Sequence, residues 1–394
     1  MSDAAAGTPP SSEPPTPRPA DRRLHRRRRL ALLGAGLFTY LLFRLAALLP
    51  GVVEWVYAQR LGAALAWPLS RVTGVLPVSV FELMIVAFLV RHAAGAGVAA
   101  RDLARRRRSW RNALAAGALR LGADLGVVVV AFYVLWGFNY ARPPLAERAA
   151  FPAVREVTTD ELAVLAREAV DAANAAYVAL HGQEDAGRPT VGARVDRGPL
   201  FDALAAGWAR IEDSLGLQAP VGWRFGPPKR FLFAGLFKRG GVSGMYSPFT
   251  GEALVVGDLP AVSYPKSAAH EQAHQRGVAH EAEANFLGYL AAAWAPDPHA
   301  RYSAHVFAVR QLLPTLARAD GERGRAEATR LHAGVRRDID DLRTFWARYE
   351  GPLERVGTRV NDAFLRTNRI EEGVVAYSRS VELLIAFARS RAGS

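Results

Sequence analysis

From Leu30 to Leu49 nearly every position is apolar (LALLGAGLFTYLLFRLAALL), and the lone charge, Arg44, lies near one end, within reach of a headgroup layer. A run of that length predicts a bilayer-spanning helix. A second run, Val78 to Val90, reaches spanning length only by extending through the Ala/Gly-rich stretch after Arg91 and His92. A third, Leu119 to Trp136, ends on Trp136 and Tyr140, residues that anchor at a membrane interface. The predicted spans are about 30–49, 78–98 and 117–137. Between the first two, spaced Trp55, Arg60, Trp67 and Arg71 suit an amphipathic segment lying on the outer surface.

From Ala141 the pattern is that of a water-exposed domain. Thr158 and Thr159 followed by DELAVLAREAVDAANAAYVAL predict a capped amphipathic helix, and Pro199 to Leu215 another. Between Arg224 and Asp258, short apolar and aromatic runs broken by Gly and Pro predict a small sheet. Helical patterning resumes at Pro265 and continues to the end. The fold class is therefore α+β, mostly helical: a basic, Pro-rich tail over residues 1–29, a membrane region over 30–140, and a domain with a small sheet over 141–394.

The net charge of +13 would ordinarily suggest a nucleic-acid partner. Its placement excludes one. Residues 1–29 hold seven arginines against three acids, and Arg91 to Arg120 hold eight against one, whereas the stretch from Ala141 onward is almost balanced. The basic clusters flank the apolar runs, so their partner is a lipid bilayer. Cytoplasmic flanks retain Lys and Arg. Placing Arg26 to Arg29 and Arg105 to Arg108 inside gives one topology: N-terminus in, three crossings of the cytoplasmic membrane, and everything after about Asn139 outside. With no cysteines, that outer domain has no disulfides.

The chemistry concentrates in SAAHEQAHQRGVAHEAEANFLGYLAAA, Ser267 to Ala293. Pro265 is placed to start a helix and Gly277 to stop it. Within that helix His270 and His274 are four apart and project from one face, so both imidazoles reach one cation. Glu271 beside them completes H-E-x-x-H, in which the glutamate is normally not a ligand but takes a proton from the attacking water. Zn²⁺ suits two imidazoles plus a third protein ligand with one position left for water.

Three residues compete to be that third ligand. His280 completes a metzincin spelling, but no methionine follows it to make the methionine turn of that class. Glu281 and Glu283 open the next helix, the arrangement of a gluzincin. Asn285, four after Glu281, is placed to orient a ligand histidine, whereas Leu287 is four after Glu283. Small Ala284 and Gly288 let this helix approach the first. The order of preference is Glu281, Glu283, His280.

The segments GMYSPFTGEA (Gly244 to Ala253), HEQAHQRGVAHEAEANFLGYL, RYSAH (Arg301 to His305) and WGFNYARPPL (Trp136 to Leu145) resemble the membrane family catalogued as domain of unknown function 3810. The resemblance extends from about Leu30 to the C-terminus. It implies three N-terminal spans and an extracytoplasmic, zincin-like metallopeptidase domain. The E-x-E-A-N spelling is similar to third-ligand segments of other membrane gluzincins, where the earlier glutamate binds metal, which favours Glu281. Tyr302, in the family-like RYS segment, is the expected hydrogen-bond donor to a developing oxyanion, with Tyr246 a further candidate.

The function expected is therefore a membrane-anchored zinc metallopeptidase acting on envelope proteins or peptides. A zinc amidase acting on cell-wall peptides, or a non-catalytic envelope scaffold with a closed zinc site, are the alternatives.

Overall fold

In the computed structural model, which describes residues 19–154, 156–181, 197–217, 222–367 and 376–392, the fold is mostly helical with one three-stranded sheet. Three helices are long and apolar enough to cross a membrane: Arg23–Ala46 within α1 (Pro19–Ala46), α4 (Val80–Ala104) and α5 (Trp110–Leu135). Most of the expected tail, residues 1–18, lies outside the described residues. Helix α1 begins ahead of the expected span, because arginine is a good helix former and carries the helix back from Leu30 through Arg26 to Arg29.

The chain divides into two units. One comprises residues up to Leu41 with Ala93–Val130. Within it α1 and α5 cross at glycines: a Cβ added at Gly36 would lie 2.7 Å from Gly126 Cα, so the backbones touch. Such small-residue crossings are how helices pack where no hydrophobic force acts between them.

The second unit comprises Leu42–His92 and Ala131–Ser394. It thus includes α2 (Pro50–Val52), a π-helical stretch (Val53–Gly62) and α3 (Ala63–Gly74), residues that the sequence pattern assigns to the membrane region. Polar side chains explain why this segment docks onto the later domain instead of lying apart on a surface. Ser70 Oγ accepts from the Gly226 amide at 2.8 Å, and Thr73 Oγ1 donates to Thr250 O at 2.8 Å. Trp67 Nε1 donates to Arg224 O at 2.9 Å.

Beyond the short α6 (Leu145–Arg148), helix α7 (Thr159–His181) starts at a reciprocal cap. Glu161 N donates to Thr158 Oγ1, and Thr158 N donates back to Glu161 Oε2. Helix α8 (Arg197–Leu215) packs so closely on α11 (Glu281–Ala293) that a Cβ at Gly207 would sit 2.0 Å from Ala291 O. The sheet comprises β1 (Lys229–Arg230), β2 (Gly244–Ser247) and β3 (Glu252–Val255), with α9 (Ala234–Arg239) between β1 and β2. Its order is β1-β3-β2, β1 parallel and β2 antiparallel to the central, fully buried β3, with Gly244 opposite Val255. Strand β2 is thus an edge.

Helix α10 (Tyr264–Gln275) lies against β2 and β3 on one side and α11 on another. Helices α12 (Pro298–Ala319), α13 (Gly321–Thr329), α14 (Ala333–Ala347), α15 (Pro352–Thr367) and α16 (Ala376–Ala392) complete the chain. The core includes Trp208, Tyr177, Phe286, Leu287 and Leu290, all fully buried.

Candidate metal centre

Helix α10 is polar in sequence yet buried along most of its length. That is tolerated because its polar groups have partners. Gln272 Oε1 accepts from Trp208 Nε1 at 3.0 Å; Gln275 Nε2 donates to Ser70 Oγ, Gly226 O and Gly251 O. Arg276 donates to Gln272 O and Trp223 O and stacks on Trp208 and Phe225. The helix is therefore fixed in rotation, and so is the face that carries the two histidines.

On that face His270 Nε2 and His274 Nε2 lie 3.2 Å apart. Glu281, the first residue of α11, brings Oε2 to 3.2 Å from His270 Nε2 and Oε1 to 3.5 Å from His274 Nε2. One ligand atom from each of the three residues lies within 4.8 Å of the others. Two glycines permit this. Gly277, at φ 78°, turns the chain from α10 to α11, and a Cβ there would press on Asn139. Gly288 faces α10 so closely that a Cβ would lie 2.9 Å from His270 N.

His274 Nδ1 bonds Val278 O at 2.7 Å and Trp136 Nε1 donates to His274 O. With Nδ1 carrying the proton toward that carbonyl, Nε2 presents its lone pair to the cluster, the arrangement that orients a ligand imidazole. Two imidazole lone pairs and a carboxylate converging on one point repel unless a cation or a proton sits among them. The donor set, two nitrogens and one carboxylate oxygen, fits Zn²⁺ with a position to spare.

Glu271 sits beside the cluster. Gly244 of β2 abuts it: a Cβ at that position would fall 2.5 Å from Glu271 Oε1, so any side chain there would displace the Glu271 carboxylate. Burial pushes the Glu271 carboxyl up to about 8 even though His274 pulls the other way. Burial lowers His270 to about 4, and the nearby Lys266 adds to that. His274 moves oppositely: burial opposes its charge, but the Glu281 carboxylate outweighs burial and lifts it to about 9. Glu281 itself, despite burial, is held well below the usual carboxylate range by the two histidines.

The structure does not bring every expected residue to this point. Glu283 accepts from the Leu145 amide at 2.7 Å and pairs with Arg148 at 2.9 Å, so its carboxylate ties α11 to α6 and is spent on structure. His280 is the residue preceding α11, with its ring against Tyr140. Tyr302 is buried and donates its hydroxyl to Asp338 Oδ2 at 2.7 Å, forming an interior polar pair. Tyr246 packs its ring 5.7 Å from that of Trp136. Asn285 does not orient a histidine; its Oδ1 accepts from Lys266 Nζ at 2.5 Å.

Lys266 is the residue the sequence pattern did not single out. It is buried, lies over the Phe307 ring at 3.7 Å, and faces the charges of Glu281 and Glu271. Burial lowers its ammonium to about 7, against the pull of those carboxylates. The signal was present: 266, 270 and 274 are one stripe of a helix.

Residues 57–385 match the family described as "Protein of unknown function (DUF3810)". The chain belongs to that family. The match takes in the second and third apolar helices, the sheet and the cluster on α10 and α11. No curated protein and no solved structure matches the chain.

Proposed function

We propose that this chain is a membrane-anchored, zinc-dependent metallopeptidase that hydrolyses peptide bonds of extracytoplasmic proteins. The observation that carries the proposal is the convergence of His270, His274 and Glu281 beside Glu271, the glutamate that Gly244 leaves room for. His270, His274 and Glu281 would hold Zn²⁺. Bound there, the ion would supply Lewis acidity, making water a nucleophile near neutral pH and polarising the scissile carbonyl.

The protein's own groups do the rest. Glu271, beside the converging residues, takes a proton from the attacking water and returns it to the leaving amine. Val278 and Trp136 hold His274 in orientation. The edge strand β2, which begins against Glu271, offers backbone groups for an extended peptide to pair with as a further strand. Glu283 is engaged by Arg148 and His280 is not among the three converging residues, which supports an open three-ligand site over the closed four-ligand site of a scaffold. Placing the arginine clusters on the cytoplasmic side puts this site outside the cell membrane.

The test is metal content and hydrolysis of casein and of purified peptidoglycan by the full-length chain in detergent, beside Glu271→Gln. Retained zinc with lost casein hydrolysis is expected. Unchanged turnover in the variant removes Glu271 as base, and hydrolysis of peptidoglycan alone moves the activity to cell-wall peptides.

A further inference from the structure

The first turn of α4 is gripped by the sheet. Glu252 Oε1 and Oε2 accept from the Val80 and Phe81 amides at 3.0 and 2.8 Å, and Lys229 Nζ bonds the same carboxylate at 2.6 Å. One residue further, Glu82 reaches out of α4 to accept from the amides of Leu232 and Phe233 at 2.7 and 2.8 Å. Glu82 is 2 % exposed, so this is a buried clamp. It sets Leu232 and Phe233 at the level of the second and third residues of an apolar helix long enough to cross a membrane, about 3 Å along it at 1.5 Å per residue.

Just there the protein exposes what a water-facing surface ordinarily avoids. Leu232 is 45 %, Phe233 51 % and Leu236 59 % exposed, on the turn and first residues around α9. Exposed Arg230 and Arg239 bracket these three side chains, and among the described residues neither guanidinium has an ion-pair or hydrogen-bond partner. Helix α15 adjoins: a Cβ at Gly357 would meet Gly240 O at 2.5 Å, and the neighbouring Leu353 and Val356 are exposed as well. Apolar tips between unpaired cations, continuous with the start of a spanning helix, match the cross-section of a bilayer interface: acyl chains below, phosphates level with the arginines.

We infer that Phe231–Arg239 is a membrane-inserted wedge, with Leu232, Phe233 and Leu236 in the outer acyl layer and Arg230 and Arg239 at the lipid phosphates. The inference rests on α4 crossing the membrane and not on the metal centre. It assigns the bilayer itself as the occupant of this surface.

The natural chain has no cysteine, so a single one can be labelled without removing any. Full-length Leu236→Cys, carrying an environment-sensitive fluorophore, is reconstituted in vesicles containing anionic lipid. The control is Val164→Cys on α7, a position 56 % exposed. The wedge predicts a blue shift for the Leu236 label, quenching by acyl-chain nitroxide lipids, and loss of quenching by aqueous iodide, with the opposite pattern at 164. Either of two results overturns it: iodide quenching at 236 equal to that at 164, or protection from iodide with no lipid quenching, which would mean that protein covers the surface. Because the readout involves neither zinc nor hydrolysis, it fails or succeeds separately from the proposed activity.

Discussion

His270 and His274 direct their Nε2 atoms toward each other across 3.2 Å, and the Glu281 carboxylate closes the third side. Three donor side chains converge this way in the folded protein and not in the unfolded chain, so an ion held among them would raise stability by mass action. Zinc at about 100 times its dissociation constant should add about 2.7 kcal/mol. Thermal unfolding in chelator and in added Zn²⁺ checks this. Wild type should melt higher with zinc, whereas His270→Ala and Glu281→Ala should show no zinc-dependent shift; equal melting of the wild type in both buffers would count against a metal at this site.

Gly244 leaves the space into which the Glu271 carboxylate fits. In Gly244→Ala the new methyl would displace that carboxylate by about an ångström, and misplacement of this size in a reacting group costs about 100-fold in rate. The expected result is zinc content as in wild type with kcat down by about that factor. Unaltered kcat would show that Glu271 is not required at its observed position.

Glu283 and Arg148 form a buried ion pair, 10 % and 9 % exposed at their side chains. Removing one member leaves the other charged and unpaired, a loss of about 3–5 kcal/mol. Glu283→Gln should therefore unfold at lower denaturant yet keep one zinc per folded molecule, while Glu281→Gln should lose the zinc. Loss of metal from Glu283→Gln at temperatures where it remains folded would return Glu283 to the ligand set.

Lys266 has a folded-state pKa of about 7, below its ordinary 10.5. Between those values the unfolded chain binds more protons, so wild-type stability rises with pH across that window, at up to about 1.4 kcal/mol per unit. Stability from this group is fully present above the unfolded value and is lost as pH falls toward 7. Lys266→Met lacks the titration. In chelator, the melting temperature of the variant minus that of wild type should be greatest near pH 6 and shrink toward pH 10; a difference independent of pH would mean that the ammonium is not desolvated.

Local signals make the histidine-bearing helix legible in the sequence. Pro265 and Gly277 bound it, the i, i+4 spacing of His270 and His274 sets their common face, and Ala284 with Gly288 gave the small surface on which α11 approaches. What escaped depends on distant chain. The choice between Glu281 and Glu283 turns on Arg148 and the Leu145 amide, more than a hundred residues upstream, which no spacing rule connects to α11. The spacing from Glu281 assigns Asn285 to a histidine, but Lys266 on the neighbouring helix takes its Oδ1, a contact that spacing within one helix does not reveal. The segment from Pro50 to Gly74 has the amphipathic look of a surface helix, but Ser70 and Thr73 bond the later domain, and two single polar side chains do not register in a hydrophobic pattern.

The same attachments bear on how the protein can be handled. Gln275, next to His274 of the cluster, donates its amide to Ser70, and Trp136 caps the carbonyl of His274; Arg142 donates to both oxygens of Glu54. A fragment trimmed to begin at Ala141 would strip partners from the very helix that carries the histidines. Residues 54–70 and 136–142, on either side of the apolar helices α4 and α5, thus belong to the housing of the His270–His274–Glu281 cluster, and biochemistry on this protein has to begin with lipid or detergent in the tube.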